Sequence, residues 1–583
     1  MQTHQLIAQL GKLKESAKEA IANANTPIDD ELKNYLHISR PVERVLTDLV
    51  TRASESPQPS LLLVCGNVGD GKSHLLARLK GTASLQPFFS KFQIHNDATE
   101  SYSPDETCND TLTRVLQPFS DDLLGSEIKK VILAINLGTL SNFLEEKKDS
   151  FSKLKAFVER NRIIEADLFE PSDDSGMDPV FNFVNFTNYH FYSLSPDGPQ
   201  VDLIEELLGR IVHESRHNPI FQAYQWIKNQ PWASQCPVKA NYEFLMHAPF
   251  RKVIASLLVS CLVKEKQIIS FRQVLNFIYD LLVPFQLAQS DLKKYLQLTQ
   301  SLSTEERVQY LTPFYLFENP KLSKIYLNLY QLDPAIRRYE ALDERSILLF
   351  TDAEPITWLN QEFRQVLTQP LDPKPNERIR HELLIKAYLR FNYFKNPAAE
   401  IYKDDHFLEY TKALFAFNNH DALGLRNIID LVKKAAYSWN GGTSEKNKAI
   451  VPGTVKNMSY RVFKQLNLKA ILPKREDKRD LAVINEFSQE VTLKFSLPGN
   501  QFPITVDYAL YVLLQNVNAG YRPNKLDRHT YINFARFVEQ VTFADIQGQT
   551  LYIDEINFGF PLDYKFEFND EYQEFTFSKL HRA

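Results

Sequence analysis

The chain has 583 residues, 44% of them hydrophobic, which is enough for several globular domains, since a domain commonly holds about 100–150 residues. Its formal net charge of -5 excludes a protein that coats nucleic acid through overall charge, so any contact with DNA must come from a local basic surface. The four cysteines are far apart and fit neither a disulfide framework nor a zinc cluster: Cys65, Cys108, Cys236 and Cys261.

Two features of the sequence bear on where the protein is located. The first residues lack the basic and then apolar layout of a signal peptide. The longest apolar stretch, residues 253–263, is far shorter than a membrane span. We therefore expect a soluble cytoplasmic protein that makes no contact with a membrane.

The first predicted elements are amino-terminal helices and a linker within residues 1–55. Apolar residues recur at helical spacing from Leu6 to Ile21, and Pro41 stands where a second helix can begin. Residues 35–38, just before that proline, are a candidate wall for an adenine ring, although a packing contact at the helix entry explains them equally well. The Ser- and Pro-rich residues 51–60 are predicted to separate this helix from the next element.

A glycine-rich motif follows the apolar run 61–65, which predicts a buried strand. The motif reads G-x-x-x-x-G-K-S and consists of Gly66, Asn67, Val68, Gly69, Asp70, Gly71, Lys72 and Ser73, with His74 opening a predicted helix. In this P-loop pattern the glycine backbone wraps a phosphate chain, the lysine reaches the β- and γ-phosphates and the serine hydroxyl meets Mg²⁺. The sequence therefore predicts binding of ATP with Mg²⁺. The alternative is a strand-to-helix turn that binds nothing.

Strand and helix patterns then alternate, which is typical of a parallel α/β sheet. Three more strand candidates follow the motif, at residues 91–97, 131–136 and 181–186. We expect residues 56–197 to form a P-loop NTPase core of the AAA/ASCE type. Residues 198–345 have helical periodicity and predict a helical lid, and residues 346–583 predict a mixed α+β carboxy-terminal domain.

The acidic residue that P-loop ATPases use to hold Mg²⁺ is absent from its usual strand. The strand candidate 131–135 ends in Asn136, whose amide can orient a metal-bound water but adds no charge. Asp97, after the preceding strand candidate, is the best replacement as metal ligand, and Glu100 offers a second carboxylate nearby. Capping of a helix start explains Asp97 equally well, and it is the favoured explanation for Glu100.

Two polar residues are candidates for sensing the γ-phosphate. Asn185 stands at the end of the strand candidate 181–186, and a surface turn in an Asn-rich segment is its alternative. Arg272 opens a predicted lid helix and could swing over the phosphates, although Glu265 or solvent would satisfy it as well. The predicted catalytic set is thus Lys72, Asp97, Glu100, Asn136, Asn185 and Arg272.

Three basic segments are candidates for contact with double-stranded DNA. We favour residues 433–448, where Lys433 and Lys434 precede the aromatic residues Tyr437 and Trp439 and two glycines. Acidic residues interrupt the other two, 474–479 and 521–528, so a solvated surface is the default explanation for them. Whether copies of the chain form a homo-oligomeric ring is left open, and Arg160 and Arg162 are the residues to test as trans-acting arginines.

The motif at 66–73, with residues 95–101 and 131–138, resembles the F component of DNA phosphorothioation-dependent restriction systems, a P-loop ATPase family usually called DptF or DndF. Residues 35–43 and 520–524 are similar as well, so the resemblance spans most of the chain. It implies a bacterial defence assembly with a G component and a helicase-like H component, which attacks DNA that lacks phosphorothioate marks.

Two functions follow from these observations. The protein is either an ATPase that couples ATP binding and hydrolysis to DNA restriction, or a nucleotide-gated scaffold that binds ATP without appreciable turnover. Asn136 favours the scaffold, whereas Lys72 and Ser73 fit both functions.

Overall fold

The computed structural model describes residues 3–19, 31–67, 69–95, 108–164, 178–336, 347, 361, 364, 366–367, 380–399, 402–441, 448–451, 460–474, 478–544, 550–555, 562–569 and 571–580.

The described residues before the glycine-rich motif contain the helices α1 Gln5–Glu19, α2 Glu31–Tyr35 and α3 Pro41–Glu55. Pro41 occupies the first turn of α3, as predicted. The helix continues to Glu55 because Val50 and Ala53 are buried, so the predicted start of a linker at residue 51 is wrong. Helix α1 packs against the helices Pro219–Lys228, Pro237–Met246 and Phe271–Leu282 of the later helical region, whereas α3 packs against the strands on either side of the motif.

The motif lies within a region of alternating strands and helices. In chain order the elements are β1 Ser60–Cys65, α4 Lys72–Gly81, α5 Gln86–Phe89, β2 Gln93–His95, α6 Cys108–Leu116, β3 Lys130–Ile135, α7 Leu137–Glu146, α8 Ser152–Arg160 and β4 Phe181–Asn185. The four strands form a parallel sheet in the order β2-β3-β1-β4. This confirms the predicted parallel α/β sheet.

Strand β1 is buried along its whole length because helices cover both faces of the sheet. Successive side chains of a strand point to opposite faces. Leu62 and Val64 accordingly pack with α3, α4 and α5, whereas Leu61 and Leu63 pack with α6, α7 and α8. An uninterrupted apolar run was therefore the right sequence signal for this strand.

A β-hairpin, β5 Tyr189–Ser195 and β6 Gly198–Gln200, leads from the sheet into a helical region. Its helices are α9 Asp202–Val212, α10 Pro219–Lys228, α11 Pro237–Met246, α12 Ala248–Lys264, α13 Phe271–Leu282, α14 Leu292–Ser301, α15 Thr304–Gln309, α16 Thr312–Glu318 and α17 Lys324–Gln331. Short 3₁₀ helices lie at Gln117–Phe119, Phe186–Asn188, Ala233–Gln235 and Phe285–Leu287.

Arg272 lies in the first turn of α13, as predicted, and Ser270 and Gln273 form a capping box at the start of this helix. Within the described ranges, no single helix is both long and apolar enough to cross a membrane. The pair α11 and α12 passes on combined length and composition but bends by 92° at its break.

The carboxy-terminal region mixes helices with antiparallel sheets. Its helices are His381–Lys395, Asp405–Asn418, Arg426–Ser438, Tyr508–Asn518, Lys525–Thr530 and Ile532–Phe543. Its strands are β7 Lys448–Ile450, β8 Tyr460–Gln465, β9 Lys469–Ile471, β10 Ile484–Glu486, β11 Val491–Leu497, β12 Asn500–Val506, β13 Leu551–Glu555, β14 Leu562–Asn569 and β15 Glu574–Leu580. They form the sheets β12-β11-β9 and β15-β14-β13-β8-β7, while β10 pairs with β5 of the hairpin.

Candidate functional site

Residues 66–73, the glycine-rich loop, connect the buried end of β1 to the start of α4. Gly69 and Gly71 have φ values of +88° and +86°, a backbone conformation that side-chain-bearing residues rarely adopt. Gly71 directly precedes Lys72, the first residue of α4, so its left-handed backbone forms the junction between the loop and the helix. Leu75, Leu76 and Leu79 bury α4 against the sheet, which holds this helix end in place.

Lys72 lies at the mouth of the loop. Its Nζ donates hydrogen bonds to the carbonyl oxygens of Gly66, at 2.9 Å, and Asn67, at 2.7 Å. Ser73 and His74 follow in the first helical turn, where backbone N–H groups have no partner within the helix. A positive side chain and a helix amino terminus therefore face the same place, an arrangement that suits a phosphate group.

The start of α13 lies against the tip of the loop. A Cβ atom added to Gly69 would lie 3.0 Å from Oγ of Ser270 and 3.5 Å from Cβ of Arg272. The predicted lid helix that carries Arg272 thus touches the loop, although the two segments are about 200 residues apart in sequence.

Replacing Gly69 with alanine should damage the loop in two ways. The left-handed backbone costs a non-glycine residue about 1–2 kcal/mol, and the new methyl group would press on Ser270. We expect a lower melting temperature and weaker ATP binding, measured by calorimetry. Gly81→Ala, at the open end of α4 where no atom lies within 4 Å of the new Cβ, is the matched control and should leave both values near wild type.

An internal hydrogen-bond network supports the loop. The Asp70 carboxylate accepts a hydrogen bond from the backbone N–H of Asn67 at 2.6 Å. Arg40, the residue before α3, donates from Nη2 to the Asp70 carbonyl oxygen at 3.1 Å. Burial raises the pKa of the Asp70 carboxyl, while Lys72, the Asn67 N–H and Arg40 oppose that shift. The role of Arg40 was not predicted from the sequence, in which its position just before Pro41 is its one notable feature.

The segment that precedes α3 reaches the first turn of α4. The rings of His37 and His74 have centroids 5.7 Å apart, and Nε2 of His37 lies 3.2 Å from the Glu43 carboxylate. Burial is the main cause that lowers the pKa of His37. Arg210 of α9 donates to the backbone carbonyl oxygens of Tyr35 and His37. His37 therefore lies beside the first turn of α4, a position that fits the helix-entry packing contact as well as an adenine wall.

The two predicted asparagines at strand ends have internal partners. Asn136 caps α7, since its Oδ1 accepts from the backbone N–H and the hydroxyl of Thr139, at 2.8 and 3.0 Å. Asn185 is buried; its Nδ2 donates to the Ile163 carbonyl oxygen, and its Oδ1 accepts two hydrogen bonds from Thr187. These contacts favour a structural role for Asn185 over phosphate sensing.

Three predicted site residues, Val68, Asp97 and Glu100, lie outside the described residues. The described part of β2 ends at His95, whose pKa is lowered by burial and by Arg114. β2 is separated from β1 by one intervening strand, β3, so its carboxyl end stands about 10 Å from that of β1 at the usual strand spacing. Among the described residues, no group of three or more His, Cys, Asp or Glu side chains could hold a metal ion.

A small cleft, with a cavity volume of about 30 Å³, adjoins the loop. Its walls come from the loop, the end of β4, the α12–α13 turn and the carboxy-terminal region, and they include Arg40, Asp70, Phe186, His190, Gln267 and Gln489. Gln489 donates to Nδ1 of His190 at 3.1 Å, and Nε2 of His190 lies 3.0 Å from the Phe487 carbonyl oxygen. The carboxy-terminal region therefore lines the same cleft as the loop.

Two of the predicted basic segments meet in space. A Cβ atom on Gly441, in segment 433–448, would lie 3.8 Å from Nε of Arg522, in segment 521–528. Lys434, Arg522 and Arg528 are exposed. The aromatic residues Tyr437 and Trp439 of the favoured segment are buried, with exposed fractions of 4% and 2%, so they are not available to stack on bases.

No protein-family model matches the chain, and no curated protein sequence matches it.

Proposed function

We propose that the protein binds ATP through residues 66–73 and hydrolyses it as a subunit of a bacterial DNA defence assembly of the phosphorothioation-dependent restriction type. The observation that carries the nucleotide site is the Lys72 ammonium, which two loop carbonyls hold beside the amino terminus of α4. Backbone N–H groups and a fixed cation in one place are what a phosphate chain requires.

Mg²⁺ fits the same place, because this ion is usually held by one or two protein oxygens together with phosphates and waters. Ser73, one residue into α4, would supply a hydroxyl ligand, and Asp97, two residues after β2 in the sequence, is the proposed carboxylate ligand. The ion, when bound, neutralises charge that develops on the phosphates. The chain's own residues orient the phosphates and exclude water, through Lys72, the loop backbone and Arg272.

A scaffold that binds ATP without appreciable turnover is the second candidate. The observation in its favour is Asn136, at the end of the strand next to β1, which is an amide already engaged by Thr139. Under this proposal the nucleotide fixes the position of α13, and a partner such as the helicase-like H component performs the turnover.

Steady-state phosphate release by the isolated protein, with and without double-stranded DNA, separates the two functions. We expect turnover above that of Lys72→Ala, and we expect Asp97→Asn to retain ATP binding while losing hydrolysis, because a metal partner acts on the chemical step. Tight binding with turnover no higher than that of Lys72→Ala would favour the scaffold. Normal turnover by Asp97→Asn would exclude Asp97 as the metal partner.

Contact with double-stranded DNA is assigned to the surface formed by Lys433, Lys434, Arg522, Lys525 and Arg528, the composite basic surface. The proximity of Gly441 and Arg522 supports it, because two segments that are each weakly basic become one larger patch. We assign phosphate contacts rather than base stacking, since Tyr437 and Trp439 are buried. The G and H components are the proposed protein partners.

A further inference from the structure

We propose that Arg40 is a positioning residue of the loop, which holds the phosphate-binding backbone in shape and ties it to α13. This inference rests on the proposed ATP binding and deepens it. Arg40 contacts the loop backbone at Asp70 and two aromatic rings, so its effect would pass through the loop backbone.

The position of Arg40 is determined by a rigid element. It directly precedes α3, and Val42, Leu46 and Val50 bury that helix in the core it shares with β1 and β4. The guanidinium therefore reaches the loop from the start of a helix that is packed against the sheet. Groups that must hold a binding geometry are most effective when their own support is rigid.

The guanidinium meets the loop at one peptide. Its Nη2 donates to the Asp70 carbonyl oxygen at 3.1 Å, and a Cβ atom on Gly71 would lie 3.3 Å from the same nitrogen. The Asp70 carboxylate holds the Asn67 N–H at the same time. The backbone from 67 to 71 is thus held both by its own carboxylate and by Arg40, which restricts the directions of its N–H groups before a ligand arrives.

The same guanidinium lies between two aromatic rings. Its central carbon is 5.4 Å from the ring centre of Phe186, just after β4, and 6.0 Å from that of Phe271, the first residue of α13. Stacking on rings is a property of the planar guanidinium that a lysine ammonium does not reproduce. Arg40 therefore links α13 to the loop at a point distinct from the contact of Ser270 with Gly69.

The link has a direct consequence for the proposed lid. If α13 moves away from the loop, Arg40 loses one of its two rings, and the Asp70 peptide loses part of its support. Phosphate binding, which requires an ordered loop, should therefore favour the docked position of α13, and a docked α13 should favour phosphate binding by the same factor.

ATP binding with Mg²⁺, measured by calorimetry on the full chain, tests the inference. We expect Arg40→Ala to raise the dissociation constant about 10- to 100-fold, the range for losing a hydrogen bond to a charged group. Arg40→Lys should recover little of the affinity, whereas added guanidinium ion should restore part of it to Arg40→Ala. Arg44→Ala, an exposed arginine on the same helix, is the control and should bind as wild type does.

Hydrogen exchange of residues 270–273 without nucleotide provides a readout that does not depend on ATP. We expect these amides to exchange faster in Arg40→Ala than in wild type, and faster in Arg40→Lys as well. Binding within twofold of wild type, full rescue by lysine, or unchanged exchange would overturn the positioning role. Failure of wild type itself to bind ATP would overturn the proposed function, and the exchange measurement would still decide whether Arg40 holds α13.

Discussion

Replacing Lys72 with alanine should raise the dissociation constant for ATP about 100-fold. The side chain is the positive charge held at the loop mouth by the carbonyl oxygens of Gly66 and Asn67. A hydrogen bond to a charged group contributes about 1.5–3 kcal/mol, and the upper part of that range corresponds to this factor. Calorimetric titration with ATP and Mg²⁺ measures the change directly.

Lys80→Ala is the matched control, because Lys80 is an exposed lysine near the other end of α4. It removes the same charge from the same helix and should leave the affinity unchanged. Both variants should unfold at the wild-type temperature, since neither lysine is buried in the core. Equal affinities of wild type and Lys72→Ala would contradict the assignment of the loop as a nucleotide site.

Replacing Arg390 with alanine should lower the free energy of unfolding by about 3–5 kcal/mol, the cost of breaking a buried ion pair. Arg390, in the helix His381–Lys395, and Asp333, after α17, each have a side-chain exposed fraction of 1%. The guanidinium donates to both Asp333 oxygens, at 3.1 and 2.6 Å. Its removal leaves a carboxylate buried without its cation, which urea unfolding followed by circular dichroism should detect.

Two variants identify the cause. Lys386→Ala, on the same helix as Arg390, breaks partly exposed pairs with Glu382 of that helix and with Glu318 of α16, and it should cost no more than about 1 kcal/mol. The double variant Arg390→Met with Asp333→Leu removes both charges and should regain much of the lost stability. Arg390 also donates to the Glu318 carboxylate at 2.8 Å, so a double variant as unstable as Arg390→Ala would mean that packing or the lost pair with Glu318, rather than the unpaired Asp333 carboxylate, explains the loss.

The elements that could be predicted from sequence are those whose signal is local. β1 is an apolar run covered on both faces, and α13 has its capping residue and its helical period within one segment. The loop was recognised because its glycines and lysine are consecutive. The bounds of α3 were missed because burial of Val50 and Ala53, which only the packed sheet provides, extends the helix through a Ser-rich segment.

Residues whose roles could not be predicted from sequence are those whose roles depend on contacts formed only in the folded chain. Arg40 is significant because Asp70, Phe186 and Phe271 meet around it. Asn185 looked like a phosphate sensor by position, but Ile163 and Thr187 engage its side chain. Strand β10 has only three residues and no pattern of its own; its pairing with β5 defines it.

That pairing has a consequence for synthesis of the protein. The hydroxyl of Tyr189 donates to the Glu486 carboxylate, 297 residues later in the chain. At about 5–20 residues per second, the ribosome needs roughly 15–60 s to deliver the partner of β5 after β5 itself has emerged. During that interval one edge of β5 is open, and an open edge invites pairing with another nascent chain. The sheet formed by β5 and β6 beside the loop is therefore completed only after Glu486 has been translated.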